Sequence, residues 1–254
     1  MKYTKMLAMV ILVLFAASTC WAGPTYSYNG AVEEETRGAV LFNYLVQRLN
    51  PESMEMVIDQ EPDDEGNIRH LYLKVNGANF GGFRVKALSL ETMFSRFSPP
   101  STWGNGKEIE LEDAMTGHFA ASVTEADVNT ALKGQLDDNW KDVVVDFRNG
   151  EIFAKGYYLV RGTISLKILV ELFTGLEVRA KQIWLKDYRL EVNNAEKTDI
   201  VRDAVKDIQP LVDLSDFVFP LDVQKLDITD GGLALSTRVP PTGFDGIKYC
   251  YKAE

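Results

Sequence analysis

The chain has 254 residues, 46% of them hydrophobic and 25% charged, which is ordinary for a globular protein of one large or two modest domains. Its 37 acidic residues exceed the 27 basic ones, for a formal charge of −10. That balance disfavours nucleic acid, whose phosphates must be neutralised by Lys and Arg, and it gives no long-range pull toward an anionic membrane surface.

The first 22 residues read as a processing signal. Lys2 and Lys5 form a basic start, Met6–Ala17 is an apolar run too short to span a bilayer comfortably, and Cys20-Trp21-Ala22 ends on a small residue. Cleavage before Gly23 makes an exported protein, periplasmic or secreted, with 25 bases against 37 acids. Acylation of Cys20 is the alternative, although Thr19 is unusual just before a lipidated cysteine. After cleavage only Cys250 remains, so no intramolecular disulfide forms, and its neighbours Tyr249 and Tyr251 suit a C-terminal strand or tail.

Residues 23–30 read as a flexible start. Glu33-Glu34-Glu35 suit a first helical turn, Ala39, Val40, Phe42, Leu45, Val46 and Leu49 follow at helical spacing, and Asn50-Pro51 stops the helix. Ser53–Asp59 reads as a strand and Glu61–Asn67 as an acidic turn whose spacing does not match a calcium loop. Ile68–Asn76 and Phe83–Leu90 read as strands around the glycines of Gly77–Gly82. In Met93–Gly106, Phe94, Phe97 and Trp103 surround two prolines, a loop that either touches a bilayer interface or plugs the end of a core. A strand or loop follows at Glu108–Thr116 and a strand at Gly117–Val123. Ser122 with Glu125, or Thr124 with Asp127, fits the start of a helix bearing Val128 and Leu132.

From Asp142 to Val192 apolar and polar residues alternate, with turn signals at Asn149-Gly150, Gly162 and Thr174-Gly175, which predicts long antiparallel hairpins. Ile164, Leu166, Ile168, Val170 and Leu172 share one side of a strand, as do Val143, Val145 and Phe147 of another. Ser165, Lys167 and Glu171 occupy the opposite side of the first of these. So long an apolar face must be covered by a helix, a second sheet or a ligand. A third helix is predicted at Lys197–Ile208, a connector at Leu211–Pro220, and a last hairpin about Asp230-Gly231-Gly232. Pro240-Pro241 then closes the fold, leaving a loosely attached tail.

The two histidines, His70 and His118, sit in no zinc-binding arrangement, and no nucleophile elbow or phosphate loop is present. The sequence makes no case for catalysis, a metal or a cofactor.

Three stretches carry a family resemblance: Val123–Asn129, Val143–Gly150, and Ile208–Ser215 followed by Phe217, Phe219 and Pro220, with Asp227–Leu233 fitting as well. Together they resemble the LmeA-like phospholipid-binding family of exported bacterial proteins, which commonly has Asn where this chain has Gln209. The resemblance implies a tubular lipid-binding kind of fold and binding without turnover; it supplies no site residues to transfer. The expectation is an α+β protein, with a single domain over 23–254 and its family-like core at about 68–239. In it a long, curved antiparallel β-sheet wraps around amphipathic helices. The face of Val143, Val145, Phe147, Ile164, Leu166, Ile168, Val170 and Leu172 takes the acyl chains of a phospholipid or another fatty-acyl lipid. Phe94, Phe97 and Trp103 are the expected transient membrane contact. An envelope scaffold or interaction protein with a closed, dry core is the alternative.

Overall fold

The computed structural model describes residues 23–80, 83–104, 107–148, 150–160, 165–198, 209–215, 219 and 222–254. The predicted leader at 1–22 and all but the first two residues of the predicted helix Lys197–Ile208 lie outside them. Among the described residues, two sheets and two α-helices replace the single sheet expected.

The first sheet has eight strands: β1 (Thr25–Asn29), β2 (Ser53–Ile58), β3 (Asn67–Phe80), β4 (Phe83–Phe97), β5 (Leu111–Thr124), β12 (Lys225–Thr229), β13 (Gly232–Ser236) and β14 (Ile247–Lys252). Their order is β1-β14-β2-β3-β4-β5-β13-β12. The predicted flexible start and loose tail are both wrong: β1 and β14 pair in parallel, and β14 pairs antiparallel with β2. Parallel pairing of segments more than 200 residues apart leaves no local sequence signal. The aromatic stretch at 93–97 is likewise strand rather than loop, and Leu111–Thr124 is one strand.

Helix α1 (Arg37–Leu49) lies against β14, β2 and β3. Its buried positions Gly38, Leu41, Phe42, Leu45, Val46 and Leu49 follow the helical period and meet Met54, Met56, Leu71, Leu73, Leu88 and Leu90 in one core. The three glutamates precede the helix rather than open it. Thr36 is the N-cap, accepting the Ala39 N–H at 3.1 Å. Its hydroxyl lies 2.8 Å from the Tyr249 hydroxyl, which donates to Glu61; the other Glu61 oxygen accepts the Gly38 N–H at 2.6 Å. Helix start, acidic turn and last strand therefore close on one buried phenol.

The second sheet contains β6 (Trp140–Arg148), β7 (Glu151–Val160), β8 (Leu166–Arg179), β9 (Gln182–Val192) and β10 (Ala195–Glu196) in the order β10-β9-β8-β7-β6. The short β11 (Val212–Asp213) also pairs with β9. Thr174-Gly175 is not the turn expected. It lies inside β8, where the ladder slips by one residue opposite Asp187 (φ 50°), and Thr174 donates to the Lys186 carbonyl at 3.0 Å. The reversal comes later, at Ala180 (φ 54°) and Lys181.

Helix α2 (Glu125–Gln135) begins at Thr124, whose reciprocal bonds with Asp127 form the capping box; of the two predicted starts the chain uses this one. Asn129 donates to the Val145 carbonyl and accepts its N–H, both at 2.7 Å, while Glu125 accepts the Phe147 N–H at 3.1 Å. These side chains satisfy backbone groups along the outer edge of β6, which would otherwise invite another strand. The 211–214 segment does the same for β9, through Leu211 N–H to Ile183 and Leu214 N–H to Lys181, each at 2.9 Å.

Burial, with the Glu61 contact second, pushes the Tyr249 hydroxyl far above its ordinary value of 10.0. The stability it contributes is full below pH 10.0 and falls as pH rises, because the unfolded chain ionises first. Tyr249→Phe is expected to lower stability at neutral pH by about 1–3 kcal/mol, since Glu61 and Thr36 lose a buried partner. It should also flatten the alkaline decline by up to about 1.4 kcal/mol per pH unit. Urea unfolding across the alkaline range checks both; identical wild-type and variant profiles would contradict this account.

Candidate functional site

In a β-sheet every second side chain points to the same face. The ladders of the second sheet place four rows of such side chains side by side. Phe147 meets Ile152 and Thr174; Val145 meets Ala154, Leu172 and Leu190. Gly156 meets Val170 and Val192, and Tyr158 meets Ile168. A last pair, Val160 with Leu166, ends the β7–β8 hairpin. Except for Thr174 and Gly156, the whole face is aliphatic or aromatic.

Cover varies along it. At one end Val145, Phe147 and Ile228 form a buried cluster with Val128 and Leu132 of α2 and with Leu226 and Leu233 of the β12–β13 hairpin. Thr174 and Leu190 are also buried there. Ile168, Val170 and Leu172 are half-buried. At the far end Val160 is 40% and Leu166 55% exposed. Among the described residues, protein therefore closes one end of the face, and its cover thins toward the hairpin end.

Of the residues singled out from sequence, Val143, Val145, Phe147, Leu166, Ile168, Val170 and Leu172 all fall on this face; Ile164 lies outside the described residues. Trp140 escaped notice because β6 carries an extra residue at Asp142 (φ 54°), which shifts the register between Lys141 and Val144. Simple alternation places Trp140 on the opposite side from Val143. In the structure both approach Gly156: a Cβ there would stand 2.7 Å from Val143 Cγ2 and 3.4 Å from Trp140 Cε3. The only sequence sign of this was a glycine in the middle of an otherwise well-formed strand.

The opposite face is shielded differently. Arg148 stacks over Phe153 at 4.1 Å, Arg189 over Phe173 at 4.4 Å and Lys167 over Tyr157 at 3.8 Å. Cationic side chains thus cover the outward aromatics, of which Phe153 is buried and Tyr157 and Phe173 are half-buried.

The aromatic stretch comes apart. Phe97 is fully buried in the first core with an edge-on contact to Phe219, so it presents nothing to a membrane. Trp103 packs against the same core and donates to the Ser98 carbonyl at 2.7 Å. Phe94 alone of the three is exposed, at 55%, because its φ of 52° switches the buried phase from Leu88, Leu90 and Thr92 to Ser95 and Phe97.

A cleft of about 480 Å³ opens elsewhere, between α1 and Gly104, Lys107, Glu108 and Ile109. Its walls include Glu34, Lys107 and the Arg48–Glu108 ion pair (2.8 Å), so it suits water better than hydrocarbon. His70 is taken up by structure: Nε2 lies 2.8 Å from buried Glu91, and its ring stacks on Phe244 at 3.7 Å. Glu91 also accepts the Thr242 N–H at 2.8 Å, which straps the chain leading into β14 to this sheet. Among the described residues no three His, Cys, Asp or Glu side chains converge as metal ligands, and no helix is long and apolar enough to cross a membrane.

A family model described as LmeA-like phospholipid-binding matches residues 65–238. That span holds all of the second sheet, both of its edge covers and most of the first sheet. No curated protein and no solved structure matches the chain.

Gly156→Val is expected to force Val143 and Trp140 off the strand and to destabilise the protein by about 1–3 kcal/mol. A shift in the urea midpoint measures this, and an unchanged midpoint would show that the two side chains do not rest on Gly156.

Proposed function

The chain belongs to the LmeA-like phospholipid-binding family, and on that footing we propose that the apolar face of the second sheet takes up the acyl chains of a phospholipid, or of another acyl-chain lipid. The protein then binds or carries lipid outside the cytoplasm without transforming it. The observation that carries this reading is the thinning of cover from Thr174, 3% exposed, to Leu166, 55% exposed, along one unbroken apolar strand face.

Magnitudes support it. From Ala154 to Val160 the face runs six residue steps, about 20 Å at about 3.3 Å each. That exceeds the hydrocarbon depth of one leaflet, about half of 30 Å. Each methylene removed from water contributes about 0.8 kcal/mol, so ten give about 8 kcal/mol, a micromolar affinity before the cost of ordering the lipid. No charged anchor is required.

In this reading Val145 and Phe147 form the closed floor, and Val143, Leu166, Ile168, Val170 and Leu172 line the chain. Trp140 and Gly156 join them. Phe94, the exposed member of the aromatic stretch, belongs to the first sheet and takes no part in this reading. A scaffold role with a dry core predicts instead that the half-covered rows hold no lipid.

Protein purified without detergent is expected to yield phospholipid on solvent extraction and mass spectrometry. Val170→Glu places a carboxylate on the lining and should reduce that yield at least about tenfold, the effect of about 1.4 kcal/mol. Lipid-free wild-type protein would defeat the proposal in favour of the scaffold.

A further inference from the structure

We propose that Val145, Phe147 and Ile228, with Ala154 just in front of them, set the length of acyl chain the protein accepts, by stopping the methyl ends of chains that lie along the face. The inference rests on the reading of that face as the lipid site and goes beyond it by assigning the determinant of chain length.

Several elements converge on this end of the face. Strand β6 contributes Val145 and Phe147, α2 contributes Val128 and Leu132, and the β12–β13 hairpin contributes Leu226, Ile228 and Leu233. Ile152, Ala154 and Leu176 of β7 and β8 pack against the same cluster. Val145, Phe147 and Ile228 are buried, so a hydrocarbon chain cannot pass between them without displacing packed side chains.

The wall is also held through its backbone. Asn129 binds both the N–H and the carbonyl of Val145, and Glu125 accepts the Phe147 N–H. The Phe147 carbonyl accepts the Gly231 N–H at 3.4 Å, and the Ile228 carbonyl accepts the Gly150 N–H at 2.9 Å. A stop discriminates lengths only if it does not yield, and these bonds fix both β6 residues and the hairpin that backs them. Thr174, the polar side chain of the Phe147 row, donates to the Gly175 and Lys186 carbonyls and so presents no unpaired hydroxyl to hydrocarbon.

The face has a direction. Four residue steps along β7 from Ala154, Tyr158 packs edge to face with Trp140, their ring centroids 5.3 Å apart. Rings with an apolar body and a polar atom favour the boundary between headgroups and hydrocarbon. The headgroup therefore lies on their side and the methyl ends point toward Phe147. Four steps span about 13 Å at about 3.3 Å each, close to half of the roughly 30 Å hydrocarbon core of a bilayer. An acyl chain as long as one leaflet is deep thus reaches the wall, and a longer one leaves methylenes outside.

Length is then read as overhang. Lipid drawn from a vesicle exchanges one apolar environment for another, so chains that fit are held alike. Each methylene left in water beyond the limit lowers affinity about fourfold.

For the test, the full chain is incubated with vesicles holding equal amounts of phosphatidylcholines that differ only in saturated acyl-chain length. The protein is reisolated and its bound lipid identified by mass spectrometry. Wild-type protein is expected to retain chains up to one limit, with retention falling about fourfold per methylene beyond it. Phe147→Ala should move that limit to longer chains and Ala154→Phe should move it to shorter ones. Val144→Ala, at an exposed residue on the opposite side of β6, should leave it in place. If Phe147→Ala does not fold, Ile228→Val takes its place.

Wild-type protein that takes up no phospholipid overturns the reading of the face, and the length stop with it. Wild-type protein that takes up phospholipid, while the Phe147 or Ile228 variant and Ala154→Phe keep the wild-type limit, overturns the length stop alone, whatever their total loading. So does wild-type retention that shows no limit.

Discussion

A sheet face made of aliphatic side chains cannot be left in water over its whole length, and the described residues offer a limited supply of elements to cover it. Helix α1 is fully engaged on the first sheet, where Leu41, Phe42, Leu45 and Leu49 reach essentially complete burial. On the second sheet, α2 and the β12–β13 hairpin close over Val145 and Phe147. Farther along β7 and β8 the described cover becomes partial, then slight. The chain invests instead in the sheet's edges. Asn129 and Glu125 satisfy backbone groups of β6, and residues 211–214 pair with β9, which together hold a wide face open without exposing strand edges.

That division explains which sequence features belong together. The Val123–Asn129 motif is a cap and an edge clamp: Thr124 and Asp127 start the helix, Glu125 and Asn129 grip β6, and Asp127 also binds Arg84 of β4 at 3.0 Å. The described part of the Ile208–Ser215 motif, 209–215, supplies the opposite edge, with Asp213 accepting from Gln182 at 2.7 Å. These motifs are structural, yet they fix the geometry of the face on which a lipid would lie. Acidic composition is no obstacle to that, since the face itself carries no charge.

Much of this was legible in the sequence. The period of two in β6 to β8 gave the apolar face, and the spacing of Ala39 to Leu49 gave α1. What was not legible turned on single residues that break the period. Asp142, Phe94 and Asp187 all take positive φ, and the first two shift the buried phase of their strands with no warning from composition. The sequence reading therefore passed over Trp140, took a slip at Thr174 for a turn, and grouped buried Phe97 with exposed Phe94. The β1–β14 pairing failed for another reason: its partners lie at opposite ends of the chain, where no local pattern reports them.

The central claim is that the open half of the second sheet, and not the polar cleft beside α1, meets hydrocarbon. Photo-crosslinking with a phosphatidylcholine carrying a diazirine in its acyl chain tests this most directly, with labelled peptides mapped by mass spectrometry. The account predicts labels on Trp140, Val143, Ile168, Val170 and Leu172. Labels confined to the cleft around Tyr44 and Ile109, or scattered without preference over both sheets, would contradict it.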